Sequence, residues 1–154
     1  VEMFETESAA KNAAIYLLAR REHSRRELKD KLAARSELID LDLVLDELIE
    51  RGYQSDQRFT ESFIRMRSSQ GQGMIKIRFE LQRKGVDSEL VVGAFEAADI
   101  DWFELAADRY SRKYKTILAV DDYKERAKRM RFMSQRGFNS EQIGYAIAAA
   151  DESD

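Results

Sequence analysis

The chain has 154 residues, no proline and no cysteine, which excludes disulfides, thiolate nucleophiles and cysteine-based metal sites and leaves out the strongest helix interrupter. No apolar run approaches the ~20 residues of a membrane span, no signal-peptide pattern opens the chain, and a formal net charge of −3 argues against a general DNA-coating protein. The composition points to a helix-rich, all-α protein and fits a reducing cytoplasm; no cofactor or metal is expected.

Nine helices are predicted in chain order, near residues 8–21, 24–34, 40–51, 56–69, 73–84, 87–98, 101–115, 121–136 and 139–150. Ser24 with Glu27 forms a capping box at the second helix. Leu41, Val44, Leu45, Leu48 and Ile49 give the third an apolar face, and Gly52 stops it. Asp56 is the expected N-cap of the fourth, which carries Phe59, Phe63 and Ile64. Gly85 ends the fifth. Asp87 caps the sixth, with Leu90, Val91, Ala94, Phe95 and Ala98 on one face, and Asp101 caps the seventh. Gly137 ends the eighth. Asn139 with Gln142 makes a weaker capping box at the ninth, ahead of Ile143, Ala146, Ile147 and Ala150.

The charges alternate in blocks. Residues 20–35, 65–84 and 109–136 net +4, +5 and +7, and together hold 23 of the 26 basic residues. Residues 37–50, 86–108 and 137–154 carry acids and no base; the last stretch holds Glu141, Asp151, Glu152 and Asp154. The residues repeat too. KIRFELQRKGVDSELVVGAFEAAD from Lys76 aligns without a gap on KRMRFMSQRGFNSEQIGYAIAAAD from Lys128, matching Gly85 to Gly137, Ser88 to Ser140 and Glu89 to Glu141. A looser first copy lies near Glu27–Tyr53. We therefore expect three tandem three-helix modules, at 8–52, 53–99 and 100–151, each with a basic second and an acidic third helix. A core of this size is marginal alone, so the modules should lean on their neighbours in an elongated, curved array. A compact helical bundle is the alternative.

The segments EL-KDKL, RGYQSDQRF, FIRMRSSQGQGMIKIRFELQRKG and RFMSQRGF resemble the RecX recombination regulators across about residues 10–150. The most specific stretch runs from Arg51 to Gly85. One departure is Ser55-Asp56, where the family often has paired acids. The resemblance implies helical modules that bind the RecA recombinase filament on DNA, inhibit its ATPase and strand exchange, and block its growth without enzymatic activity. DNA repair and the SOS response are the implied setting. The expected partners are that filament and, more weakly and salt-sensitively, single- and double-stranded DNA; no membrane is involved and the chain is a monomer. A stand-alone helix-turn-helix DNA binder is the alternative, and a structural adaptor without DNA contact a third reading.

Candidate contact residues follow from the basic blocks. Arg65, Arg67, Lys76, Arg78, Arg83 and Lys84 rank first. Gly71 and Gly73 interrupt this block, and the N–H groups of the helix after them offer an anion site, against the plainer reading of an ordinary loop. Arg112, Lys113, Lys128, Arg129 and Arg131 follow; Tyr110, Tyr114 and Tyr123 interleave with that block but read better as core cover than as base-stacking platforms. Arg25 and Arg26 rank third, because nearby acids should pair internally with their block. His23, the only histidine, reads as a surface turn residue without companion metal ligands. A serine–histidine–acid triad would rest on that one residue, and the paired carboxylates Asp121-Asp122 lie in exposed, polar surroundings unsuited to general acid–base work. Trp102, Met130 and Met133 read as core.

Overall fold

Helices begin where a short polar side chain satisfies the first free N–H groups, and they stop where glycine takes a left-handed turn. The computed structural model describes residues 1–152, so Asp154 of the last acidic stretch lies outside the described residues. Among those residues it holds nine α-helices and no strand: α1 Glu7–Arg20, α2 Arg25–Leu32, α3 Leu41–Glu50, α4 Asp56–Ser69, α5 Met74–Arg83, α6 Ser88–Ala98, α7 Trp102–Lys113, α8 Tyr123–Gln135 and α9 Ser140–Glu152. A single 3-10 turn, Ala33–Arg35, follows α2.

The local chemistry largely follows the sequence. Ser24 and Glu27 form the full capping box. Asn139 and Gln142 exchange reciprocal bonds of 2.9 and 2.8 Å. Asp101 accepts from the Phe103 and Glu104 N–H groups. Gly52, Gly85 and Gly137 all have positive φ. Asp56 departs from expectation. It is the first residue of α4, and Ser55 Oγ, 3.1 Å from the Arg58 N–H, does the capping. The Asp56 carboxylate instead accepts from the Arg25 N–H at 2.9 Å, so it serves the start of α2.

The chain divides into two compact units, one of residues 1–62 and 81–94, the other of residues 63–80 and 95–154. The first has a core of Phe4, Ala10, Ala14, Leu28, Leu32, Leu41, Val44, Leu45 and Leu48, formed where α1, α2 and α3 meet. His23 is buried here at 2 % exposure, contrary to the surface position expected of it. Its Nδ1–H donates to the Arg21 carbonyl at 3.0 Å and Lys31 Nζ donates to its Nε2 at 2.9 Å, which selects the neutral ring. Burial, with Arg21 and Lys31 nearby, holds its pKa below the usual 6.5.

The second unit packs Ala106, Tyr110, Leu118, Met133, Phe138, Ile143, Ala146 and Ile147 where α7, α8 and α9 meet. Two turns interlock in it. The Gly73 N–H donates to the Arg136 carbonyl at 2.7 Å, and the Ile75 N–H to the Gly137 carbonyl at 3.1 Å. A Cβ on Gly73 would collide with the Gly137 carbonyl, and one on Gly137 with Lys76. Only glycines permit this approach. The Gly73 and Ile75 N–H groups at the start of α5 are thus already engaged, which favours the plainer loop reading of Gly71 and Gly73 over an anion site there.

Candidate nucleic-acid interface

Each candidate cation is best placed by what its head group already touches. In the first unit, Arg25 is tied to Asp42 at 3.2 Å and Asp46 at 3.1 Å, and Lys29 to Asp42 at 3.0 Å. Basic α2 is thus matched to acidic α3, and hydrogen bonding by Lys29 and Arg25 draws the Asp42 carboxyl below its usual range. Lys84 donates to Glu27 at 3.0 Å. Burial alone would raise the Glu27 pKa, but bonds from the Ser24 N–H, Arg21 and Lys84 outweigh it and hold the group at about 2. Arg26 is exposed, its stem laid on Gly85, and Arg83 is exposed near the end of α5. A surface depression lined by Glu5, Glu7, Glu37, Asp40 and Asp42 is acidic and unsuited to phosphate.

The second unit holds most of the set. Arg67 is half-buried, 3.3 Å from Glu80 and over the Phe63 ring at 4.9 Å. Lys76 is half-buried against Gly137. Arg112 makes an exposed pair with Asp108 on its own helix, a contact of little strength. Arg129 drops out of the surface altogether. It is 4 % exposed and bonds the Tyr110 hydroxyl at 2.8 Å, the Thr116 carbonyl at 3.0 Å and Glu125 at 3.0 Å. Burial opposes its charge, yet Tyr110 and Glu125 keep its pKa raised, so Arg129 is a core cation. Sequence position could not show this, because Arg129 faces inward with Met133 one turn on.

Five candidates here remain exposed with no described carboxylate at ion-pairing distance: Arg65, Arg78, Lys113, Lys128 and Arg131. On α8, Lys124, Lys128 and Arg131 fall at i, i+4 and i+7, one helical face opposite buried Arg129 and Met133. Ala127 lies on the same side, and the one acid between them, Glu125, is engaged by Arg129 at 3.0 Å. Tyr110 is buried and Tyr114 half-buried, as core cover, whereas Tyr123 is 76 % exposed beside this face. Arg109 and Arg136, counted in the third basic block but not singled out from it, are both half-buried near the Gly71–Gly73 turn. The one signal in sequence is spacing: Arg109 with Lys113, and Lys128, Phe132 and Arg136 in steps of four.

Among the described residues no three or more His, Asp or Glu side chains are grouped to hold a metal ion, and no helix is long and apolar enough to cross a membrane. Three family models match the chain in order: the first three-helix domain of RecX at residues 10–37, the second at 55–94 and the third at 99–147. A regulatory protein RecX of Chromohalobacter salexigens is 44% identical over 147 residues, 95% of each chain. One of Halorhodospira halophila is 39% identical over 147 residues, 95% of this chain and 91% of that one. The crystal structure of RecX from Lactobacillus salivarius superposes with a TM-score of 0.74 over 94% of this chain and 96% of the other, at 23% identity, a likeness of fold.

Proposed function

The chain belongs to the RecX family of regulatory proteins, and from that premise we propose that it is a negative regulator of homologous recombination and DNA repair. It binds the RecA filament on DNA, inhibits DNA-dependent ATP hydrolysis and strand exchange, and works by contact in the cytoplasm, as a monomer, without catalysis. In this reading the modules at 8–52, 53–99 and 100–151 meet repeated sites along the filament, and linkage raises effective concentration without strong single contacts. The observation that carries the reading is the set of exposed cations with no described carboxylate at ion-pairing distance, Arg65, Arg78, Lys113, Lys128 and Arg131, on a chain whose net charge is −3. A local basic surface on an acidic protein favours a partner of mixed charge over bare duplex.

The test is recombinase ATPase on single-stranded DNA, titrated with this protein at two salt concentrations. Inhibition at substoichiometric amounts, weakened by salt, is expected. Unchanged ATPase and strand exchange at equimolar protein would refute the reading. Reversing Arg65, Arg78, Lys128 and Arg131 to glutamate should weaken inhibition about tenfold or more with helicity intact, at ~1 kcal/mol or less for each surface charge. Tight, sequence-selective duplex binding without recombinase would instead favour a stand-alone DNA binder.

A further inference from the structure

We propose that Arg109 and Arg136, with Lys113 and Lys128 beside them, form an oxyanion subsite for the phosphates of a single-stranded nucleic-acid backbone; this deepens the function proposed above and rests on it. The carrying observation is a pair of like charges held together with no counterion among the described residues. Arg109 stands on α7 and Arg136 is the C-cap of α8. Both Nε atoms are buried and have no acceptor, and no described carboxylate pairs with either side chain. The same turn anchors both. Arg136 donates from Nη2 to the Gln70 carbonyl at 3.1 Å, and the Arg109 stem packs so closely on Gly71 that a Cβ there would stand 2.9 Å from its Cδ. Burial, and then the charge of Arg109, lowers the Arg136 pKa. Cations so placed are destabilising until an anion meets them, and both side chains remain partly open to solvent.

A polyanion fits better than one carboxylate. Lys128, Phe132 and Arg136 follow one edge of α8 in steps of four, and Arg109 and Lys113 follow α7 in the same step. The Arg109 and Lys113 heads both lie over the Phe132 ring, 5.5 and 5.2 Å from its centroid. Two cations thus lie over one aromatic ring, with Lys128 and Arg136 one turn to either side of it on α8, and a single carboxylate would neutralise one of the four. Consecutive phosphates engage several, and guanidinium forks suit their paired non-bridging oxygens.

Anisotropy of a labelled oligodeoxythymidine, titrated with the full chain across a salt series, tests this. Arg109→Gln with Arg136→Gln should bind roughly tenfold more weakly, with a salt slope shallower by about 1.4, two phosphates at ~0.7 each. Arg20→Gln with Arg51→Gln removes the same charge elsewhere and should shift affinity less than about twofold. A double variant that binds as the wild type does, or a control that falls equally, overturns the subsite. So does polyglutamate that binds the wild type as tightly as the oligonucleotide and loses as much in the variant, which would assign the arginines to a protein partner. Should the variant misfold, the wild type still decides. Inorganic phosphate should raise its melting temperature above that in chloride at equal ionic strength, and equal midpoints overturn the proposal. Inhibition of the recombinase with unaltered DNA binding in the variant sinks the subsite alone. Arginine-dependent DNA binding without any effect on the recombinase supports the subsite and sinks the regulatory role.

Discussion

Glu27 gathers the Ser24 N–H at 3.0 Å, the Arg21 guanidinium at 3.3 Å and the Lys84 ammonium at 3.0 Å around one carboxylate. With its pKa held at about 2 against an ordinary 4.5, it stabilises the fold in full above pH 4.5 and loses that contribution as pH falls through 2. Glu27→Gln should therefore destabilise at pH 7 by on the order of 3 kcal/mol, and urea melts from pH 7 to pH 3 should show the difference narrowing. His23 acts in a separate window. Its folded pKa lies below 6.5, so the unfolded chain binds the proton first, and stability present above pH 6.5 declines as pH falls. His23→Gln should flatten that slope below pH 6.5, read by the same melts. Half of the Glu27 site was legible: Ser24 stands three residues away, as a capping box requires. Lys84 was not, because it lies 57 positions on. His23 was misread for the same reason. The Gln54 amide that bonds its carbonyl is 31 residues distant, and no local pattern announces that cover.

At the scale of the helix, apolar spacing and caps placed all nine elements to within about two residues, because those signals are local. What the sequence withheld was where a helix end turns once formed. Gly71 and Gly73 read as a loop or an anion cradle, whereas Gly73 proves to be the slot into which the α8–α9 turn fits. Gly73→Ala should cost roughly 1–3 kcal/mol by overpacking. Gly93→Ala and Gly144→Ala, inside α6 and α9 with open space at each Cβ, should each stabilise by up to ~1 kcal/mol. Thermal melts separate the two outcomes; a neutral Gly73→Ala would show that the turns do not interlock. Helix α8 makes the same point about charge. Its spacing put Lys128 and Arg131 on one face, but only packing revealed that Arg129 turns inward to Tyr110 and Glu125.

Across the whole chain, the alternation of basic and acidic blocks was plain in sequence, and so were the three related segments. Their differing fates were not. Arg25 and Lys29 of the first block are neutralised by Asp42 and Asp46 of the following acidic stretch rather than by acids of their own block, while the third leaves Lys113, Lys128 and Arg131 open. Composition cannot tell these cases apart, because the outcome depends on which face of each helix meets its neighbour. Salt should accordingly weaken two things at once: nucleic-acid affinity through the open cations, and the α2–α3 pairs through screening. A fragment ending at Gly52 should show much less helix by circular dichroism than its share of the intact chain. It lacks Asp56, which caps α2, and Lys84, whose carbonyl also accepts from Ser24 Oγ at 2.8 Å. On the ribosome, then, the opening third of this chain must wait. Its second helix acquires its clasp only after residue 84 has left the exit tunnel, and until then it is exposed to proteases and chaperones.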